Sequence, residues 1–219
     1  MPPGQILAAR HQTAGRGRQQ RVWQSGVERD LTFSFLWPAE PPERMVSLPM
    51  AVALGVADLL ATYEIEAATK WPNDVLVNGD KICGLLAEVA TDAGGRAVGV
   101  VVGVGLNVNM TAEEAGKIDR PATSMQIISG KIMEVANVLE RLVPLLDARL
   151  AQWQQSGFAA IRADWQARAV WINQAVELHT DTGPLTGTLR GYGKSGELLL
   201  EVDGEAREVW SAELMRCAG

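Results

Sequence analysis

Cysteine and histidine are scarce: two of each in 219 residues, Cys83 and Cys217, His11 and His179. Cysteines this few and this far apart exclude a disulfide framework, and they fit a reducing, cytoplasmic setting. Two histidines so widely separated offer no metal-ligand pattern. Excess positive charge is also missing. The formal net charge is −6, which argues against broad binding to nucleic acid or to a membrane surface. The opening MPPGQILAAR has neither the charged start nor the apolar centre of a signal peptide. The apolar run near 97–106 is too short and too glycine-rich to span a bilayer. Three chemical motifs stop short. Gly103-Val104-Gly105 follows a strand, but position 108 is Val, so the dinucleotide fingerprint is incomplete. Gly191-Tyr-Gly-Lys-Ser-Gly lacks the spacing of a phosphate loop and reads as a hairpin turn. No serine sits in a nucleophile elbow with a histidine and an acid to serve it.

What the chain does have is apolar content and one concentrated basic strip. Apolar residues make up 47% of the sequence, enough to bury a core. The length fits one large domain, or a moderate domain with a small appendage. From Arg10 to Trp23 the sequence reads RHQTAGRGRQQRVW, with four arginines and no carboxylate until Glu28. Gly15 and Gly17 let the backbone come close to a ligand. Arg16, Arg18 and Arg21 carry planar, permanently charged forks suited to phosphate or carboxylate oxygens. The pattern points to a loop that wraps a polyanionic small molecule, against the plainer alternative of a solvated basic loop.

Strand and helix signals surround that loop. Residues 5–9 have room for one short strand. LTFSFLW at 31–37 alternates apolar and polar residues and reads as a strand ended by Pro38, Pro41 and Pro42. Ser47 is placed to cap a helix running through AVALGVADLLATY, with Pro49 in its first turn. After Lys70-Trp71-Pro72-Asn73-Asp74 come strands at 75–77 and 82–89 around the hairpin turn Asn78-Gly79. A turn at 92–95 leads into 97–108, a continuous apolar strand expected to be buried on both faces. Its glycines at 99, 103 and 105 imply close approach by another backbone or a ligand. Residues 133–155 have helical spacing with Pro144 as a kink, and 158–169 form a further helix. From Ala175, the runs AVELHT, LTGTLRGY, ELLLEV and REVWS read as four strands of a small β-barrel-like module packed on the larger domain.

Three distant segments carry chemistry: the arginine loop, Lys70–Asp74 with its hairpin, and Gly103–Asn107. Lys70 ends a strand and projects a compact charge on a long stem toward the sheet end; a surface lysine is the plainer reading. Asn73-Asp74 serves as well for a turn. A buried Asn107 needs partners, structural or ligand. Trp23, beside the arginines, is placed to stack on a base.

RHQTAGRGRQQRVW, KWPNDVLVNGDKICGLLAEV and VGVGLNVN, in this order and spacing, resemble the signature blocks of the biotin protein ligases over roughly residues 4–110. Residues 175–216 are more weakly similar to that family's SH3-like C-terminal domain. The resemblance implies an α+β fold, a mixed sheet with packed helices of the class II aminoacyl-tRNA synthetase and biotin ligase type. It divides the chain into a catalytic unit at 1–170 and an SH3-like unit at 171–219. It also implies a ligase that uses biotin and ATP, with Mg²⁺ accompanying ATP. Such an enzyme forms biotinyl-AMP and passes biotin to a lysine of a biotin carboxyl carrier protein. Lys70 matches the catalytic lysine, with Arg18 beside it. Arg16 and Arg18 lie along the biotin carboxyl and phosphate, and Arg21 assists at the phosphates. Gln12 corresponds to the polar residue that reads the ureido ring, Gly15 and Gly17 shape the loop, Gly103 and Asn107 surround the adenylate, and Trp23 lies near the adenine. The family's Ser-Thr-Asn-type segment has no counterpart ahead of the loop, which implies a shortened start or weak biotin binding. An impaired remnant that binds adenylate or carrier protein therefore stays open, as does a lipoate or octanoate ligase of the same fold. Without a helix-turn-helix, no DNA binding is expected. The family holds monomers and dimers, so a homodimer stays open too.

Overall fold

Strands β1 (Ile6–Ala9) and β2 (Leu31–Pro38) pair antiparallel at either end of the arginine loop, which is thereby tied to the edge of a sheet. This computed structural model describes residues 4–217; residues 1–3 and 218–219, the outer ends of the expected 1–170 and 171–219 units, lie outside the described residues. After β2 come helices α1 (Pro42–Met45) and α2 (Leu48–Ala61). A meander follows: β3 (Ala68–Lys70), β4 (Asp74–Val77), β5 (Asp80–Thr91) and β6 (Ala97–Leu106). The six strands lie in the order β1-β2-β6-β5-β4-β3, all neighbours antiparallel. Asn78 and Gly79 turn β4 into β5 with φ of 54° and 90°, the left-handed pair that a two-residue hairpin requires.

The sheet has one apolar face. Leu31, Phe33 and Phe35 of β2 and Val100, Val102, Val104 and Leu106 of β6 are buried in a common core. Burial of β6 on both faces, expected from its apolar run, holds only in part. Ala97 and Val98 at its start are exposed, and the odd-numbered face carries buried Gly99 and Gly105 with half-buried Val101 and Gly103. α2 packs against β3, β4 and β5. The segment Pro42–Ala61 is long and apolar enough to cross a membrane, the one such segment among the described residues, yet 72% of its most apolar stretch is buried inside the fold. It is the core helix.

Short helices α3 (Ala112–Ala115) and α4 (Met125–Ser129) lead to α5 (Val135–Ser156), which packs on α2 and buries Val138, Leu142, Leu146, Leu150 and Trp153 at i, i+4 and i, i+3 spacing. At Gly55 the two helices meet so closely that a Cβ would lie 2.8 Å from Leu146 Cδ2. Pro144 lies inside α5, on its exposed side, where water can hydrate the carbonyl it leaves unpaired. Ser47 precedes α2 but makes no capping bond. Its Oγ donates to Arg44 O and accepts from Trp153 Nε1 at 2.9 Å, tying α2 to α5.

α6 (Phe158–Arg168) leads to a second antiparallel sheet: β7 (Ala175–Thr180), β8 (Gly183–Tyr192), β9 (Leu198–Val202), β10 (Glu205–Val209) and β11 (Glu213–Arg216). Its order is β10-β9-β8-β7-β11. Five strands stand where four were expected. The fifth, Glu-Leu-Met-Arg, buries only Leu214 and is too short to announce itself by alternation. Among the described residues β10 and β11 are the sheet's edges and do not pair with each other, so the SH3-like likeness is carried by the resemblance alone. The two sheets share one core. Tyr192 stands edge-on to Phe158 and Trp165 at 6.2 and 6.0 Å. Trp71 Nε1 donates to Gly196 O at 2.9 Å.

Candidate active site

Register brings the three chemical segments together. Lys70 is opposite Asp74, Asp74 opposite Gly84, and Gly84 opposite Gly105. Side chains in register share a face, so these four residues form one row across the sheet, on the side away from the core. Asn73, in the turn between β3 and β4, is pinned to β5: its Nδ2 donates to Leu85 O at 2.5 Å, and Leu85 N donates to Asn73 O at 2.9 Å.

The arginine loop folds back over this row as a hairpin. Trp23 N donates to Gly15 O at 3.0 Å, and Gly17 N to Arg21 O at 2.7 Å. Gly15 is buried, and a Cβ there would strike Trp23 O. The Trp23 indole lies on Gly84 and Gly105, where any side chain would collide with it. The close approach that the glycines of β6 imply is therefore filled, at Gly105, by the chain's own tryptophan. Gly103 differs: a Cβ there would meet only ordinary van der Waals contacts with Ser34 and Leu86.

Each cation has a definite place. Arg18 donates to Asn73 Oδ1 at 3.4 Å, to Ala212 O at 3.1 Å and to Ser211 Oγ at 3.1 Å. Arg21 makes a fork to Glu213 at 3.0 and 2.5 Å, and Arg120 also pairs with Glu213. Arg16 reaches outward to Glu88 at 2.8 Å. Lys81 pairs with Asp74 at 2.6 Å and lies 5.6 Å from the Trp23 ring centroid. Lys70 makes no ion pair among the described residues and sits 5.5 Å from the Trp171 ring centroid. Gln12 Oε1 lies beside Gly15, inside the loop. Asn107 is buried, and its Nδ2 donates to Thr123 O at 2.9 Å, fastening the connector after β6.

Five cations (Lys70, Lys81, Arg18, Arg21, Arg120) thus surround two carboxylates, Asp74 and Glu213. Burial pushes the Lys70 ammonium and the Arg18 guanidinium down from their usual values, and Asp74 opposes the shift in both. Partly dehydrated positive charge left in excess is what an anionic ligand would neutralise. A cysteine nucleophile is not part of this site: Cys83 is fully buried, and burial holds its thiol protonated. Two grooves of about 350 and 380 Å³ flank residues 132–141 and contain none of the residues of the row or of the 10–23 strip.

Sequence reading picks out the loop and Lys70, but not Ser211, Glu213 or Arg120. No local pattern marks Glu213, which lies 192 positions from Arg21.

A six-stranded antiparallel sheet backed by a buried helix pair, with a cationic hairpin folded over its outer face, defines a class by its fold. The biotin protein ligase from Aquifex aeolicus, solved in complex with biotin and ATP, matches it with a TM-score of 0.86 and 30% sequence identity. That match covers 99% of this chain and 91% of that one. Residues 1–107 match the model of the biotin/lipoate A/B protein ligase family. The biotin–[acetyl-CoA-carboxylase] ligase of Mycobacterium tuberculosis is 33% identical over 97% of this chain and 79% of its own length. The bifunctional ligase/repressor BirA of Bacillus spizizenii is 31% identical over 97% of this chain, which spans 66% of that protein. The chain belongs to the biotin protein ligase branch of this family.

Proposed function

We propose that this chain is a biotin–[biotin carboxyl carrier protein] ligase, acting through biotinyl-AMP. One observation supports the reading: Lys70 is paired with Asp74 in the sheet register and Arg18 is hydrogen-bonded to the adjacent Asn73, both cations being partly dehydrated. Biotin carboxylate and the ATP triphosphate repel each other, and preorganised positive charge is what lets them meet. A carboxylate oxygen attacks the α-phosphorus, the bond to the β-phosphate oxygen breaks, and pyrophosphate leaves. A neutral lysine amine of the carrier then attacks the acyl carbon. The acyl–phosphate bond breaks, AMP leaves and the amine loses a proton.

Lys70 stabilises charge developing between carboxylate and α-phosphate, and Arg18 closes over it. Arg16 and Arg21 serve the carboxyl and phosphates, Gln12 the ureido ring, Trp23 the adenine, and Gly103 and Asn107 the edge of the adenylate. Gly15 and Gly17 let the loop reach the ligand. Mg²⁺ arrives as part of the nucleotide substrate. Bound with ATP, it would be held by triphosphate oxygens and water, with at most one or two protein carboxylates. The catalytic unit spans 1–170; from the unit at 171–219, Ser211, Ala212 and Glu213 contact the arginine loop. The test is transfer of labelled biotin to a carboxylase carrier domain, with ATP–pyrophosphate exchange measured under biotin, lipoate or octanoate. Exchange with biotin alone is expected. Exchange with lipoate but not biotin, or none at all, overturns the reading.

A further inference from the structure

The turn that leads into β11 grips the arginine loop at two points, with two kinds of bond. Ser211 Oγ and Ala212 O accept from Arg18, at 3.1 Å each. These acceptors are neutral, so the charge of Arg18 stays available to a ligand. Glu213 accepts the Arg21 fork and also pairs with Arg120, which precedes the Pro121–Thr123 stretch hydrogen-bonded to Lys81. Its side chain is only 13% exposed. Three elements distant in sequence, the loop, the connector after β6 and the second sheet, therefore meet on one carboxylate.

We propose that Glu213 is a positioning residue: a latch through which the C-terminal sheet holds the arginine loop closed over the Lys70–Gly105 row. The site residues it organises are those of the ligase reading, on which the last part of the test rests. In the ligand-free chain Glu213 takes up the charge of Arg21, while Arg18, bonded only to neutral acceptors among the described residues, keeps its own. Fixing the loop in this way shields a reactive acyl phosphate from water and slows its escape.

The loop reports its own state, because trypsin cleaves after Arg16, Arg18 and Arg21 faster the more freely the segment opens. The full 219-residue chain without ligands is digested briefly with trypsin, and the cuts are mapped by mass. Release of biotinyl-AMP, made in place from biotin and ATP, is measured in parallel. In Glu213→Gln, cleavage at Arg16 and Arg18 and release of the adenylate should both rise roughly fivefold, as expected for loss of one favourable ion-pair network. Glu213→Asp, which keeps the charge, should recover part of both. Ser211→Ala should move both in the same direction by less, and it serves if the glutamine variant does not fold. Unchanged cleavage overturns the latch, and so does faster cleavage with unchanged release. Tighter ATP binding by Glu213→Gln also overturns it, because the carboxylate would then be competing with phosphate. If no adenylate forms even in the unaltered chain while Glu213→Gln still speeds cleavage, the ligase reading fails and the latch stands.

Discussion

At the scale of single residues the chemistry turns on the hydration of Lys70. Its ammonium is partly buried, has Asp74 as a cross-strand neighbour, and makes no ion pair of its own among the described residues. Little of the fold rests on it. Lys70→Ala should therefore slow adenylate formation roughly 10²–10³-fold, the usual cost of removing one preorganised charge-stabilising group. Stability by urea unfolding should stay within about 0.5 kcal/mol, as for a substitution outside the packed core. Parallel loss of both would mean that the lysine is structural. The same burial sets a pH dependence. Lys70 gives up its proton below the ordinary 10.5, so adenylation should fall on an alkaline limb centred below that value. Lys70→Arg should lack this limb even where its rate is low. Stability has the opposite sign. Between the folded and unfolded pKa values the unfolded chain holds the extra proton, and this group's contribution rises with pH. An alkaline limb at or above 10.5 would place the titrating group elsewhere.

Among the elements, β5 and β6 matter most because glycine stands twice in their shared row. Gly84 and Gly105 form the floor under Trp23, and a methyl group on either meets the indole. Gly105→Ala should lift Trp23 and loosen the loop, at a cost of about 1–3 kcal/mol for overpacking. A red-shifted tryptophan emission together with faster tryptic cleavage at Arg16 and Arg18 would show it; unchanged emission would put the ring elsewhere. Local patterns make much of this architecture legible. Alternation marks β2, Asn78-Gly79 marks the hairpin, i, i+4 spacing marks α5, and the glycine-arginine strip marks the loop. Each is a signal within about ten residues, the range over which backbone periodicity and turn chemistry act. The rest depends on register and packing. That Lys70 stands in a row with Gly105 follows from three successive strand pairings, and that Arg21 meets Glu213 follows from how the second sheet sits. β11 carries no period to read, because only one of its four side chains is buried.

At the scale of the whole molecule the second sheet shares a buried core with the first. Tyr192 of β8 lies edge-on between Phe158 and Trp165 of α6, Arg162 donates to Gly193 O at 2.7 Å, and buried Trp71, next to Lys70, is hydrogen-bonded to Gly196. The residue after the candidate catalytic lysine is thus anchored on the β8–β9 turn. Disturbing that joint should reach the site through Trp71 without touching a site residue. Tyr192→Ala removes most of an aromatic side chain from a fully packed place, and large-to-small changes of this kind cost about 3–5 kcal/mol. If the sheets form one cooperative unit, far-UV circular dichroism and tryptophan fluorescence should give coincident urea transitions in both chains, with the variant's midpoint lower. If the second sheet folds independently, the two probes should separate in the variant, with fluorescence, dominated by tryptophans of the larger sheet and its helices, left where it was. Coincidence would mean that whatever stabilises residues 175–216 also steadies Lys70, and that the C-terminal sheet acts on the site through its floor as well as through the Glu213 side chain.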